Sequence, residues 1–292
     1  MEKDKAIDFS FGIKDVARFR ANVFFQRGSV SGVFRRIPLA IPDLEMLALP
    51  RALGKLTHLS TGLVLITGPT GSGKSTTLAA LIDKINRERR NHIVTLEDPI
   101  EFVYGHKNCI VNQREMNTDM LDYSSALRSL LRQDPDICLI GELRDIDTIE
   151  AALRIAETGH LVFGTLHTNS ALQTISRIVS VFSTNQQARI RTQLSATLNA
   201  VVSQRLITGI RGGLFPAIEL LLVNTSIRHL VRENKLHQVY GMMQVGQQKT
   251  GMITMNQSLM GLVLKRKIDI QEAFSVTSDP EELDKLLKQA GI

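Results

Sequence analysis

"LVLITGPTGSGKSTTLAALIDKINRER", residues 63–89, decides how the rest of this chain is read. Leu63 to Ile66 is an unbroken apolar run closed by Thr67, the signature of a strand buried on both faces. Gly68, Pro69, Thr70, Gly71, Ser72, Gly73, Lys74, Ser75 and Thr76 follow, and Gly68 to Ser75 fits G-x-x-x-x-G-K-[ST]. From Ser75 to Arg90 the apolar residues recur at helical spacing. A strand, a glycine loop and a helix in this order wrap a phosphate with backbone N–H groups. Glycine is required where a Cβ would collide with the anion, and the helix adds its positive N-terminal end. Lys74 is placed to reach β- and γ-phosphates, and Ser75 to offer its hydroxyl to Mg²⁺. The stretch implies a grip on a nucleoside triphosphate.

Working outward, strands are expected at 63–67, 92–96, 137–141 and 161–165. Helices are expected at 75–90, 124–133, 145–157, 170–181 and 186–205. This alternation implies an α/β fold, a mostly parallel sheet with helices on both faces. Before it, "DFSFGI", "ARFRANVFF" and "SGVFRRI" within residues 8–37 read as short strands turning at Gly12, Gly28 and Gly32. "IPLAIPDLEMLALP", with Pro38, Pro42 and Pro50, reads as an ordered linker. After Arg211-Gly212-Gly213 the chain is expected to be mainly helical, and "SIRHLVREN" is amphipathic through Ile227, Leu230 and Val231. The expected division is 1–37 β-rich, 38–55 linker, 56–210 core and 211–292 helical.

Open parallel sheets bind ligands outside the carboxyl ends of their strands, so residues at those ends carry the chemistry. "HIVTLEDPIEF" stops at Glu97-Asp98-Pro99, with Glu101 two positions further. Such acids orient Mg²⁺ or an attacking water beside a phosphate loop, and elsewhere are simply solvated. "DPDICLIGELRD" buries Ile137 to Ile140 and ends in Gly141-Glu142. A glutamate there carries its carboxylate one methylene further than the commoner aspartate, which suits a base that activates water. Asp145 doubles as a helix cap. In "GHLVFGTLHTN" His160 and His167 stand at opposite ends of one strand and make poor partners for one metal. His167, at the end facing the phosphate loop, is a candidate γ-phosphate contact, and His160 has no assigned role. Arg128 and Arg132 share one helix face and read as a solvated stripe.

The 292 residues carry 35 Lys and Arg against 29 Asp and Glu, a net charge of +6. That balance permits contact with nucleic acid or an anionic surface without demanding it. Trp is absent and aromatics make up 5%, so no stacking platform for single strands stands out and no nucleic-acid partner is expected. Cys109 and Cys138 each sit in an apolar stretch and read as buried free thiols in a reducing compartment. No run approaches the ~20 apolar residues of a membrane span, and "MEKDKAIDFS" is charged rather than signal-like. A cytoplasmic location is expected.

These residues resemble the secretion ATPases, and within them the retraction ATPases of type IV pili. The likeness lies in "GPTGSGKSTT", "TLEDPIEF", "IVNQRE" (110–115), "DPDICLIGELRD", "GHLVFGTLHTN" and "SIRHLVRE" (226–233). The resemblance implies a RecA-like core with a PAS-like N-terminal domain and a helical C-terminal segment. It also implies a homo-hexamer that hydrolyses ATP with Mg²⁺ in twitching motility. Its partner would be an inner-membrane platform protein, with the ring peripheral to that membrane. By position it implies phosphate and Mg²⁺ contacts at Lys74, Ser75 and Thr76, and hydrolytic acids at Glu101 and Glu142. His167 would be the histidine-box contact, and Arg20 and Arg35 arginines that cross to a neighbour's triphosphate. The accessory retraction paralogue of the same branch and a DNA-dependent RecA-like motor are the alternatives. A non-hydrolysing, nucleotide-dependent assembly protein is a further class. The family's PAS-like domain is longer than the segment before the linker here, so residue 1 is expected to fall inside it. A half-domain exposes strand edges.

Overall fold

The computed structural model describes residues 5–13, 16–37 and 40–292, apart from the side chains of 246–249. Part of the expected 1–37 segment, and Pro38 of the expected linker, lie outside these residues.

The N-terminal strands β1 (Ala6–Ile13), β2 (Ala17–Gln26) and β3 (Ser29–Ile37) form an antiparallel three-stranded sheet. Gly28 makes the β2–β3 turn as expected, whereas Gly12 and Gly32 lie inside β1 and β3. A Cβ at Gly32 would stand 3.0 Å from the Phe34 ring. Among the described residues of this sheet only Ala17, Ala21 and Ile37 are buried hydrophobics, so the sheet has little core of its own.

A 3-10 helix over Arg51–His58 leads into the large unit and turns Leu53 and Leu56 inward. There follow β4 (Gly62–Thr67), α1 (Lys74–Glu88), β5 (His92–Glu97), β6 (Ile110–Glu115) and α2 (Tyr123–Leu130). Next come β7 (Ile137–Ile140), α3 (Ile146–Glu157), β8 (Leu161–Leu166), α4 (Ala171–Ser180) and α5 (Thr184–Thr197). Strands β9 (Leu198–Thr208) and β10 (Leu214–Leu222) precede α6 (Thr225–Arg232), α7 (His237–Thr250), α8 (Met255–Leu264), α9 (Ile270–Val276) and α10 (Pro280–Gln289). The sheet order is β10-β9-β4-β8-β7-β5-β6, parallel throughout except for β10, which runs antiparallel to β9.

Side-chain alternation along each strand divides the core in two. Leu63 and Leu65 of β4 face the side covered by α2 to α5, and Val64 and Ile66 face the side covered by α1 and the 3-10 helix. Each fully buried Leu or Ile of this kind contributes ~1.5–3 kcal/mol. A third cluster joins the ends of β9 and β10 to α8, α9 and α10 through Ile207, Ala217, Leu259 and Leu283. Caps follow the sequence. Asp145 and Thr148 make a reciprocal capping box at α3, Ser170 caps α4 and Asn224 caps α6.

One expectation fails beyond α5, and the segment expected to be mainly helical, which holds α6 to α10, is preceded by a strand. The helix expected over 186–205 ends at Thr197, and the following eleven residues are a strand of the large sheet. The chain after Arg211 opens with β10 at the sheet edge and turns helical only from Thr225. "LNAVVSQRLI" mixes a short apolar run, Ala200 to Val202, with Asn199, Ser203, Gln204 and Arg205, and so short a run does not separate helix from strand. What ends α5 is distant in sequence. Arg228 of α6 donates to the Ser195 and Ala196 carbonyls (both 2.6 Å) and to Asn199 Oδ1 (3.0 Å). A cation on the last carbonyls satisfies the helix end. Asn199 in turn donates to the Thr61 carbonyl (2.7 Å), tying the start of β9 to the start of β4. The amphipathic pattern of "SIRHLVREN" holds, with Ile227, Leu230 and Val231 buried.

A phosphate loop, acids and arginines share one cleft

The parallel register brings the candidate residues to one edge. Thr67 pairs with Leu166, so Gly68 and His167 leave the sheet side by side. Ile140 pairs with Leu96 and with Gly164, which sets Glu142 and the Glu97-Asp98 pair next in line.

The loop after β4 takes its shape from glycine and from one residue of β9. Gly68 has φ +143°, and a Cβ on it would lie 2.2 Å from the Gln204 carbonyl oxygen. Gly73 has φ +83°, and its Cβ would meet the Gln204 amide nitrogen at 2.7 Å. Gln204 is buried. Its amide donates to the Ser72 carbonyl (2.7 Å) and its amide oxygen accepts from the Thr77 hydroxyl (2.7 Å). Beside it the Thr67 and Ser203 hydroxyls share a 2.7 Å hydrogen bond. One side chain of a neighbouring strand therefore holds both the loop and the first turn of α1.

The loop's polar groups suit an anion. Helix α1 starts at left-handed Gly73 with no side-chain cap, so its first N–H groups face the cleft. Ser72 Oγ is buried without a hydrogen-bond partner among the described residues. Lys74 folds back over the loop and donates to the Gly68 and Pro69 carbonyls (2.8 and 2.9 Å). Burial holds its ammonium below the ordinary lysine value, while Glu142 and Glu101 act in the opposite sense.

Across the cleft, Glu142 follows β7 and is held on both carboxylate oxygens. Arg144 Nε donates to Oε2 at 2.7 Å, and His167 Nε2 lies 3.4 Å from Oε1. Arg144 also reaches Asp98 at 3.4 Å. Glu97 is buried at the end of β5. Burial pushes its carboxyl up to about 7, against hydrogen bonds from the Thr95 hydroxyl (2.7 Å) and the Gln113 amide (3.1 Å). Gln113 also donates to the Phe102 carbonyl and accepts from the Tyr104 N–H (both 2.8 Å), which fastens the loop carrying Glu101.

The cavity has a volume of about 840 Å³ and is lined by the phosphate loop, Glu97, Glu101, Glu142 and His167. Arg20 and Arg35 of the N-terminal sheet line it too. The resemblance sends these arginines to a neighbour's site, whereas here they face the phosphate loop of their own chain. His160 is outside the cleft. Its Nδ1 contacts the Thr158 hydroxyl and the Ile155 carbonyl (both 3.1 Å), a structural role at the end of α3. Arg128 is bonded to Ser124 on the exposed face of α2, as a solvated residue would be. Cys109 and Cys138 are buried free thiols. Sequence reasoning missed Gln204 and Gln113. For Gln204 the signal available was a polar residue within an otherwise buried strand, whereas Gln113 stands in the mostly polar β6 and had none.

The family profile of type II/IV secretion system proteins matches residues 40–212, and the chain belongs to that family. Within it the chain is 50% identical to the type IV pilus retraction ATPase PilT of Pseudomonas aeruginosa, over 94% of this chain and 79% of that protein. It is 38% identical to the type IV pilus ATPase PilU of the same organism, over 96% of this chain and 74% of that one. A crystal structure of the pilus retraction motor PilT with bound ADP superposes with a TM-score of 0.92 at 52% identity. That superposition covers 97% of this chain and 81% of the other. Among the described residues, no helix is long and apolar enough to cross a membrane.

Two expectations follow from the geometry. Gln204→Leu strands the Ser72 carbonyl and the Thr77 hydroxyl. It should weaken ADP binding about ten-fold, by the loss of ~1–3 kcal/mol of buried hydrogen bonding, as read by titration calorimetry. Affinity equal to wild type would contradict the loop-holding role. The raised Glu97 value makes its burial favourable only while it is protonated. That stability is complete below the unfolded carboxylate value and is lost as pH rises through about 7. Glu97→Gln should therefore match wild type in urea denaturation near pH 5. Near pH 8 it should be more stable by the order of 2–3 kcal/mol.

Proposed function

We propose that the chain is the Mg²⁺-dependent ATP hydrolase of a homo-hexameric motor that retracts type IV pili in twitching motility. The observation that carries this reading is the single cleft holding phosphate loop, Glu142 and arginines together. The likeness to PilT supports the pilus as its object, and the smaller identity to PilU favours the primary over the accessory role.

Lys74 exchanges the Gly68 and Pro69 carbonyls for β- and γ-phosphate oxygens, and the uncapped start of α1, with Ser75 and Thr76, receives the rest of the phosphate chain. Ser75 is the protein's own donor to the metal. Among the described residues no cluster of three or more His, Cys, Asp or Glu forms a cage. Such a donor set suits Mg²⁺, which binds through few protein groups plus water and phosphate. Bound with the nucleotide, Mg²⁺ neutralises charge on the phosphate oxygens. Glu142, clasped between Arg144 and His167, aligns the attacking water and takes its proton. Glu101 supports that water, His167 contacts the γ-phosphate, and Arg20 and Arg35 stabilise the charge that develops there.

The exposed face of the N-terminal sheet supports assembly. Phe9, Val30 and Phe34 share one face of it by register and stand in solvent there, an apolar surface that a neighbouring subunit covers in a ring. The ring works on an inner-membrane platform protein from the cytoplasmic side.

The test is steady-state ATP hydrolysis with mass measured in parallel by light scattering and single-stranded DNA in a control. Glu142→Ala should keep ATP binding and lose turnover by about 10²–10³-fold. An unchanged rate would sink the assignment of Glu142, and stimulation by DNA would favour a nucleic-acid motor.

A further inference from the structure

We propose that Arg18 and Glu115 form a positioning pair that sets Arg20 and Arg35 over the γ-phosphate. The proposal rests on the reading of those two arginines given above.

Among the described residues, Arg18–Glu115 is the one ion pair between the N-terminal sheet and the large unit, with Nη2 to Oε2 at 2.7 Å. The Glu115 side chain is 3% exposed and sits at the end of β6. Its backbone is pinned as well, for Glu115 N–H donates to Asp119 Oδ2 and its carbonyl accepts from Asp119 N–H (both 2.8 Å). The same Oε2 accepts from the Ile100 backbone N–H at 3.2 Å. Ile100 stands between Pro99 and Glu101, within the acidic loop. One buried oxygen thus ties the acidic loop to the N-terminal sheet.

Strand geometry carries the effect to the cleft. Side chains two apart share a face, so anchoring Arg18 orients Arg20. Arg20 is directly opposite Arg35 in the β2–β3 ladder, so both arginines move with the anchor. The sheet has only three buried apolar residues among those described, too few to fix its position by hydrophobic contact. Glu115 is buried and Arg18 half-buried, so removing Arg18 leaves the Glu115 charge buried and uncompensated, a cost that favours this one placement of the sheet.

The experiment uses the full chain and titration calorimetry with Mg²⁺·ADP and Mg²⁺·AMP-PNP, so that the γ-phosphate contact is read without turnover. Arg18→Gln and the near-isosteric Glu115→Gln should each weaken AMP-PNP about ten-fold and ADP by less than about two-fold, the scale of a lost charged hydrogen bond. Arg20→Ala/Arg35→Ala should do the same, and adding Arg18→Gln to that pair should cost nothing more. Equal weakening of both nucleotides would mean general damage and would overturn the proposal. So would a further loss from Arg18→Gln in the Arg20→Ala/Arg35→Ala background. If Arg20→Ala/Arg35→Ala weakens AMP-PNP while Arg18→Gln and Glu115→Gln do not, the positioning pair alone falls. If Arg20→Ala/Arg35→Ala leaves AMP-PNP binding intact, the arginine reading falls and takes the pair with it.

Discussion

An anion can be held by backbone N–H groups only if the loop that carries them stays open, and here that demand falls on the contact between the phosphate loop and β9. Gly68 and Gly73 take left-handed conformations because Gln204 occupies the space a Cβ would need. Gln204 spends both ends of its amide on the loop and on α1. The sheet then does the rest by being parallel. Strands β4, β8, β7 and β5 end at one edge, so phosphate loop, histidine, glutamate and acidic loop arrive together without long excursions of chain.

Charge in the cleft is balanced internally, and the balance is what a triphosphate disturbs. Glu142 is paired with Arg144 and stands 3.4 Å from His167, Lys74 is turned onto two carbonyls, and burial raises Glu97 to about 7. Lys74 is held by carbonyls it can exchange for phosphate, and Glu142 and Glu97 are each fixed by donors at the cleft. Charges pre-placed in this way need little rearrangement when the reaction develops new charge, and that saving is the main source of rate acceleration in reactions of this kind.

The core and the loop were legible in the sequence because their elements are local. The strands at 63–67, 92–96, 137–141 and 161–165 and the helices from 75 to 181 appear within one or two residues of where periodicity and caps put them, apart from the last turn expected after Leu130, which is a 3-10 helix. What failed was set by distant contacts. Whether residues 198–205 continue a helix or enter a sheet depends on Arg228, some thirty residues on, and on a vacant strand position beside β4. Gln204 stands in the polar triplet Ser203-Gln204-Arg205, where nothing local sets it apart from its two neighbours. Arg20 and Arg35 offered no local signal at all, because their place in the cleft is a matter of how a separate sheet docks, and the salt bridge that docks it joins residues 97 positions apart.

The most direct test of the account is a mixing experiment. Chains with Lys74→Ala and chains with Arg20→Ala/Arg35→Ala, each inactive alone, are mixed under conditions that let subunits exchange, and ATP hydrolysis is followed. If loop and arginines serve the same cleft of one chain, the mixture turns over no faster than the sum of its parts. Recovery of turnover on mixing would mean that the arginines act on a neighbour's nucleotide, and the single-chain site described here would be wrong.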